Sequence, residues 1–414
     1  MHVTNKRIAM ISYHTCPLAS FEGKETGGMN VYVLELSRAL VQRGYTIDMY
    51  TRCQAPDNPT TVDIEPNLRL VHLPAGPPGS VLKKHLVGFI QEFSMNMDKF
   101  MRENGLSYDV FHCHYYMSGL VGLELQNVMK RPLPMVMSFH TLGLMKNLVA
   151  RNEFEHEEEE RISAEFLLMK EAKKVIAVSD MDFGYMYFLY GVPKEKLVII
   201  SPGVDTKLFA PMDRFRAREH IGVRTGKLIL FVGRVEPLKG ADLLLYALKI
   251  LVTKNPGLHV CLLIVGGDVS DKPVMWSKPL KSLEELRKTL DIPAIVKFVG
   301  QEPQQELPYY YNAADVVVMP SHYESFGMVA LEAMACGVPV VTTDVMGVSS
   351  LLDEKHRSLI TSVNNPFLLA AQIEKLLTNE TYYRKVSAEI QKDVQDLNWT
   401  SVAEQIDHVY DGLQ

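Results

Sequence analysis

Two doubly wound α/β domains, each a largely parallel sheet with helices on both faces, are predicted by three observations. Short apolar runs alternate with helical patterns along all 414 residues, the signature of stacked βαβ units. The layout of a strand entering a glycine loop starts twice, at Arg7–Ser12 and again at Lys227–Gly233. Between them, Ser201-Pro202-Gly203 supplies linker punctuation beside a change in composition. The boundary is therefore expected near Gly203, which suits a length of two to three times the usual ~150 residues per domain.

The elements follow in order. Arg7–Ser12 reads as the first strand; a loop with Gly23, Gly27 and Gly28 follows it. Met29–Arg43 then carries Val33, Leu36, Leu40 and Val41 at helical spacing, and Gly44 supplies the stop. Tyr45–Tyr50, Leu68–Leu73, Val110–His114, Leu133–Phe139, Val175–Val178 and Leu197–Ile200 continue the first sheet. Lys227–Gly233, Val260–Val265, Ile295–Phe298, Val316–Met319 and Val338–Thr342 supply the second. The acidic stretch Glu153–Glu160, His156 included, reads as a solvated helix start. Two such Rossmann-like domains facing each other would enclose a cleft, with ligands at the carboxyl ends of the strands.

Composition narrows the function. At 47% hydrophobic and 22% charged residues the chain is an ordinary globular protein, neither disordered nor fibrous. A net charge of −6 without a long basic run argues against nucleic acid or an anionic membrane surface as main partner. Five scattered cysteines, Cys16, Cys53, Cys113, Cys261 and Cys336, form no C-x-x-C pair and suggest free thiols in a reducing compartment. Met1–Arg7 lacks a signal-peptide apolar stretch and no window approaches the ~20 apolar residues of a membrane span. A cytoplasmic location without integral membrane contact is expected, and the oligomeric state stays open, a homodimer included.

Two motifs carry chemistry. Glu324-Ser325-Phe326-Gly327-Met328 follows the Val316–Met319 strand and leads into a helix beginning at Met328–Leu331, with Glu332 two helical turns beyond Glu324. A helix N-terminus with a glycine beside it suits a phosphate or a sugar hydroxyl. Spacing alone leaves a loop charge and a mid-helix glutamate as an equal alternative. Gly233-Arg234-Val235-Glu236-Pro237-Leu238-Lys239-Gly240 places two cations after a strand, a pair able to neutralise a diphosphate without a metal. Taken alone, a solvated basic loop is the simpler reading.

Together with Gly27-Gly28, these motifs resemble the retaining glycosyltransferases of the GT-B fold, family four, over nearly the whole chain. Gly27-Gly28-Met29-Asn30-Val31-Tyr32, His112-Cys113-His114-Tyr115, and His140-Thr141-Leu142 with Lys146-Asn147 are most similar to the family's mycothiol branch. That branch transfers N-acetylglucosamine from UDP to inositol phosphate. Sucrose-phosphate synthase and related synthases resemble the chain next. The resemblance implies that Arg234 and Lys239 hold the leaving diphosphate and Glu332 the ribose hydroxyls. Glu324 would bind a donor-sugar hydroxyl, assisted by backbone N–H groups around Phe326, Gly327 and Met328. Phe298 to Gly300 would line the uracil, and His140 would lie against the donor sugar. Gly28 and Asn30 would close over the diphosphate and the acceptor, while Lys83, Tyr115, Thr141 and Arg161 would hold the acceptor's phosphate. The last helix, with Val402, Ile406, Val409 and Tyr410 on one face, is implied to return to the first domain. The domains are thus 1–203 with 400–414, and 204–399, hinging near Gly203 and Trp399. Two departures stand out: Met346-Gly347 replaces a Gly-Gly pair, and Gly143-Leu144-Met145 replaces smaller residues.

The expected activity is retaining transfer from a UDP-sugar to a small phosphorylated acceptor, with no cofactor and no metal. Alternatives are a synthase using UDP-glucose and fructose 6-phosphate, and a non-catalytic sugar-nucleotide-binding regulator. A phosphorylase-like enzyme would carry pyridoxal phosphate. No P-loop or G-x-S-x-G run occurs. Asp180-Met181-Asp182 spells D-x-D but is read as a helix cap. His112 and His114 are expected on opposite strand faces, without a third metal ligand.

Overall fold

A computed structural model of the chain describes residues 6–18, 27–79, 81–129, 133–223, 226–270, 272–345, 356 and 359–413. Met346-Gly347 lies outside the described residues. The chain divides into two compact units, Met1–Pro202 with Trp399–Gln414, and Gly203–Asn398.

The first unit is built on eight strands: β1 (Arg7–Ile11), β2 (Thr46–Arg52), β3 (Thr61–Glu65), β4 (Leu68–Leu73), β5 (Val110–His114), β6 (Met135–Ser138), β7 (Lys174–Ala177) and β8 (Leu197–Ile199). Their order is β3-β4-β2-β1-β5-β6-β7-β8. All pairs are parallel except β3 with β4, which is antiparallel. The central strands are buried on both faces, so they read as continuous apolar runs rather than alternating ones. β3 is the exception: it alternates polar and apolar, is partly exposed, and sits at an edge. It lacks the continuous apolar run by which a buried parallel strand shows in a sequence. Helix Tyr116–Met129 comes close to the sheet because Gly119 and Gly122 carry no side chain. A Cβ on Gly119 would stand 2.8 Å from Leu168 and Met137.

The C-terminal helix Trp399–Asp411 belongs to this unit. Val402, Ala403, Ile406 and Val409 are buried, and Asp407 receives Arg43 at 2.6 Å and the Tyr45 hydroxyl. Trp399 meets Tyr32 edge to face at 5.3 Å, and Tyr410 shares a 2.7 Å hydrogen bond with His112. An amphipathic face and one part-buried acidic anchor therefore dock the returning helix.

The D-x-D run proves to be a cap, but a different residue does the capping. Ser179 accepts from the Asp182 N–H at 3.2 Å, and the Asp182 carboxylate accepts from the Val178 N–H at 3.2 Å. The pairing satisfies one first-turn donor, the Asp182 N–H, and the Val178 N–H just ahead of the cap, so Asp180 is left merely in the first turn.

The second unit holds six parallel strands, β9 (Lys227–Val232), β10 (Val260–Val265), β11 (Val296–Gly300), β12 (Val316–Met319), β13 (Val340–Thr343) and β14 (Ile360–Thr361), in the order β11-β10-β9-β12-β13-β14. Asp315, just before β12, is 2% exposed and gathers Arg214, Arg218, Lys227 and the Leu228 N–H, locking the amino edge of the sheet. The carboxyl edge is left to the loops. No helix among the described residues is long and apolar enough to cross a membrane.

Candidate active site

In the first unit the loops after β5 and β6 carry most of the chemistry. Tyr115 (φ 75°) and His140 (φ 63°) each leave their strand in the left-handed region, a conformation non-glycine residues adopt at a cost of order 1 kcal/mol. The turn is held by the Tyr115 N–H donating to Ser138 at 2.8 Å. These two kinks, at the ends of adjacent strands, carry side chains the sequence had singled out.

Four predicted acceptor residues come together here. The Lys83 ammonium lies 4.4 Å and the Arg161 guanidinium 4.9 Å from the Tyr115 ring centre. Arg161 also donates to the Thr141 carbonyl at 2.9 Å and hydroxyl at 3.0 Å. It is 2% exposed, and its charge is balanced by Glu165 at 2.8 Å and Glu157 at 2.7 Å. Glu165 is fully buried. Its oxygens accept from Arg161, from the Gly143 N–H at 2.9 Å and from the Tyr190 hydroxyl at 2.6 Å. It thereby ties the arginine to the helix Gly143–Val149. Burial raises the Glu157 carboxyl pKa, but Arg161 and Lys146 outweigh it and hold the group down at about 2. The Tyr115 hydroxyl is buried with no hydrogen-bond partner among the described residues, and burial pushes its pKa well up.

The acidic stretch Glu153–Glu160 is not a solvated helix start throughout: the helix begins at Glu159, and Glu157 is four-fifths buried and paired with Arg161 and Lys146. Glu165, Tyr190 and His14 were not singled out. The two glutamates were within reach, since they stand four residues before and four after Arg161 on a helical register. Tyr190 and His14 carried no signal. His14 reaches the Tyr115 ring at 4.6 Å only through folding.

His140 shares a 3.0 Å hydrogen bond with His114 and meets Tyr32 edge to face at 5.0 Å. Burial drops its pKa to about 3, so it stays neutral at physiological pH. The expectation that His112 and His114 point to opposite faces is overturned: their rings stack at 4.4 Å. Residues two apart on a strand share a face, and only neighbours alternate.

Gly28 opens the helix Gly28–Gln42 and is exposed. Asn30 is employed locally: its oxygen accepts from the Thr15 hydroxyl at 3.0 Å and its amide donates to the Cys16 carbonyl at 2.7 Å. It organises the loop after β1, and its side chain is occupied there.

In the second unit the predicted donor residues lie in strand β11, in loops at the carboxyl edge and on the helix Met328–Ala335. Gly266, after β10, lies so close to Gly233, after β9, that a Cβ would stand 2.0 Å from the Gly233 oxygen. Its N–H donates to the Gly300 carbonyl at 2.6 Å, joining the loop after β11. Gly240 likewise lies against Pro320, with 1.9 Å between a built Cβ and that carbonyl. The His322 N–H donates to Leu238 at 2.8 Å. Within this mesh Lys239 pairs with Glu324 at 2.5 Å, and Arg234, 55% exposed, pairs with Glu236 at 2.8 Å. Phe326 is buried, and Gly327 (φ 88°) caps the helix Met328–Ala335. Glu332, on that helix, is 5% exposed and accepts from the Tyr311 hydroxyl at 2.6 Å; burial pushes its pKa up to about 7. Phe298 is packed between Trp276, at 5.8 Å, and the Arg287 guanidinium, at 5.1 Å.

Two parallel-sheet α/β units with this loop chemistry define a glycosyltransferase of the GT-B architecture. Residues 26–208 match the model described as Glycosyltransferase Family 4 and residues 213–393 that of Glycosyl transferases group 1, and the chain belongs to this family. It is 31% identical over 408 residues to the D-inositol 3-phosphate glycosyltransferase of Corynebacterium efficiens, covering 98% of this chain and 95% of that one. The protein of the same name from Nocardiopsis dassonvillei is 32% identical over 406 residues, covering 98% and 94%. Among solved structures, sucrose-phosphate synthase from Thermosynechococcus elongatus is similar with a TM-score of 0.87 and 30% identity, covering 99% of both chains. Anabaena HepE in complex with UDP-glucose shares the fold with a TM-score of 0.74 at 19% identity, covering 98% and 99%.

Proposed function

We propose that this glycosyltransferase moves N-acetylglucosamine or glucose from UDP to a hydroxyl of a small phosphorylated acceptor such as inositol phosphate, with retention and without a metal. The observation that carries the reading is the cluster around Tyr115, where Lys83 and Arg161 flank one ring whose buried hydroxyl has no partner among the described residues. A net-acidic protein needs such a local concentration of cations to bind a phosphate. The relatives named for D-inositol 3-phosphate support the same acceptor class.

On this reading the bond between the anomeric carbon and the diphosphate oxygen breaks as the acceptor oxygen bonds to that carbon from the same face. The acceptor's proton passes to the departing diphosphate oxygen. Arg234, Lys239 and the N-terminus of helix Met328–Ala335 would absorb the charge that develops there. Neutral His140 would line the donor sugar, and Glu324 and Glu332 would take its hydroxyls and those of the ribose.

The likeness to sucrose-phosphate synthase favours a second reading, UDP-glucose with fructose 6-phosphate. A matrix of UDP-glucose and UDP-N-acetylglucosamine against inositol phosphate and fructose 6-phosphate, read by UDP release, separates the two. Release with neither acceptor would leave a non-catalytic binder. Activity that chelator abolishes would remove the metal-independent mechanism.

A further inference from the structure

The cluster around Tyr115 contains an anion of its own. Glu157 stands just before the helix Glu159–Glu171, and its carboxylate touches Arg161 Nη1 at 2.7 Å and the Lys146 ammonium. The loop is seated by its N–H donating to the Asn147 side-chain oxygen at 2.7 Å. Despite being four-fifths buried, Glu157 keeps its charge, because Arg161, Lys146 and Lys83 all favour the ionised form over the cost of burial.

The fit of this carboxylate is incomplete. Arg161 Nε and Nη2 donate well-aligned hydrogen bonds to Glu165 and Thr141, whereas Nη1 faces Glu157 as an ion pair without an aligned hydrogen bond. The Tyr115 hydroxyl is also left without a partner among the described residues. A planar group with two oxygens leaves both donors short, and a tetrahedral group with three or four oxygens has acceptors to spare. The charges tell the same story. Three cations, Lys83, Lys146 and Arg161, face two carboxylates, Glu157 and Glu165, while burial keeps His14 neutral. Withdrawing Glu157 raises the local net charge from one to two, matching a phosphate dianion.

We propose that Glu157 is an internal stand-in for the acceptor's phosphate, so that a phosphorylated acceptor binds by displacing its carboxylate from Arg161 and Lys146. Glu165, fully buried and bonded to the Gly143 N–H, stays in place as the fixed counter-ion. Glu157 thereby sets selectivity: an acceptor without a phosphate cannot displace it, and the site does not lie open to every passing anion. The inference rests on the phosphorylated-acceptor reading and adds to it the residue that competes with substrate.

The test is Glu157→Gln, which keeps the shape and removes the charge. The KM for the phosphorylated acceptor should fall about three- to tenfold, while the KM for the nucleotide sugar does not follow. Inorganic phosphate, competing with the acceptor, should inhibit the variant at correspondingly lower concentration. Glu157→Asp, which keeps the charge, should stay nearer the parent. An unchanged or raised acceptor KM in Glu157→Gln would overturn the proposal, since Glu157 would then simply support Arg161. So would an equal gain in Glu157→Asp. If the parent enzyme uses phosphorylated and unphosphorylated acceptors equally well, the reading beneath the proposal fails, and that is seen before any variant is made.

Discussion

The two candidate regions, one in each unit, solve similar electrostatic problems with different materials. Around Tyr115 the first unit uses side-chain charges, buried and paired in advance: Arg161 is clamped by Glu157, Glu165 and Thr141. At the carboxyl edge of its sheet the second unit uses backbone. Gly240 and Gly266 let loops meet at distances no side chain permits, and the cations Arg234 and Lys239 are only partly buried. Buried charge must be compensated before the ligand arrives, because desolvating an unpaired ion costs several kcal/mol. Backbone amides carry a smaller penalty and need only the absence of a Cβ.

The sharpest way to break this contrast is to give the second unit a methyl group. Gly266→Ala would put a Cβ into the Gly233 carbonyl at φ 126°, and should destabilise the unit by about 3 kcal/mol or more. Gly27→Ala, with nothing within 4 Å, should leave melting unchanged. Calorimetric unfolding of both variants reads the difference; a Gly266→Ala protein as stable as the parent would mean that the loops are free to separate.

Next in size is catalysis by the second unit's cations. Lys239→Ala and Arg234→Ala should lower kcat by about 10²–10³. Their melting should barely change, since partly exposed pairs contribute about 0–1 kcal/mol. Steady-state rates near the parent's would remove both residues from the mechanism.

The smallest effect is a pH dependence of opposite sign in the two regions. Glu332 is raised by burial to about 7, so its proton is retained on folding. Its contribution to stability is complete below the ordinary carboxyl value of ~4.5 and is lost as pH rises through about 7. Glu157 is held at about 2, so its contribution is present above ~4.5 and lost as pH falls toward 2. Glu332→Gln should therefore flatten the decline of the second unit's stability between pH 5 and 8, by about 1–3 kcal/mol in denaturant titrations. A slope identical to the parent's would show that Glu332 titrates normally.

Legibility in the sequence followed the physics. Buried parallel strands announce themselves as apolar runs, which is why β1, β5 and β9 could be read directly, while the half-exposed edge strand β3 could not. Lys239 and Glu324 stand in motifs of the chain, Thr141 and Arg161 are implied by the family resemblance, and the fold brings each pair into contact. Asn30 was named as well, yet its side chain serves Thr15 and Cys16. A motif preserves a position; which of that position's neighbours takes its hydrogen bonds depends on the loop packed against it.

By itself the sequence determined the two α/β sheets and the glycines at their carboxyl edges. Periodicity and turn chemistry are local properties, written within a dozen residues. Only the tertiary structure decided how the charges are apportioned: that Arg161 is shared by two glutamates, that Glu332 is buried against Tyr311, and that the rings of His112 and His114 stack. Coulomb energy and desolvation depend on distances across the fold, and those exist only once the chain is closed.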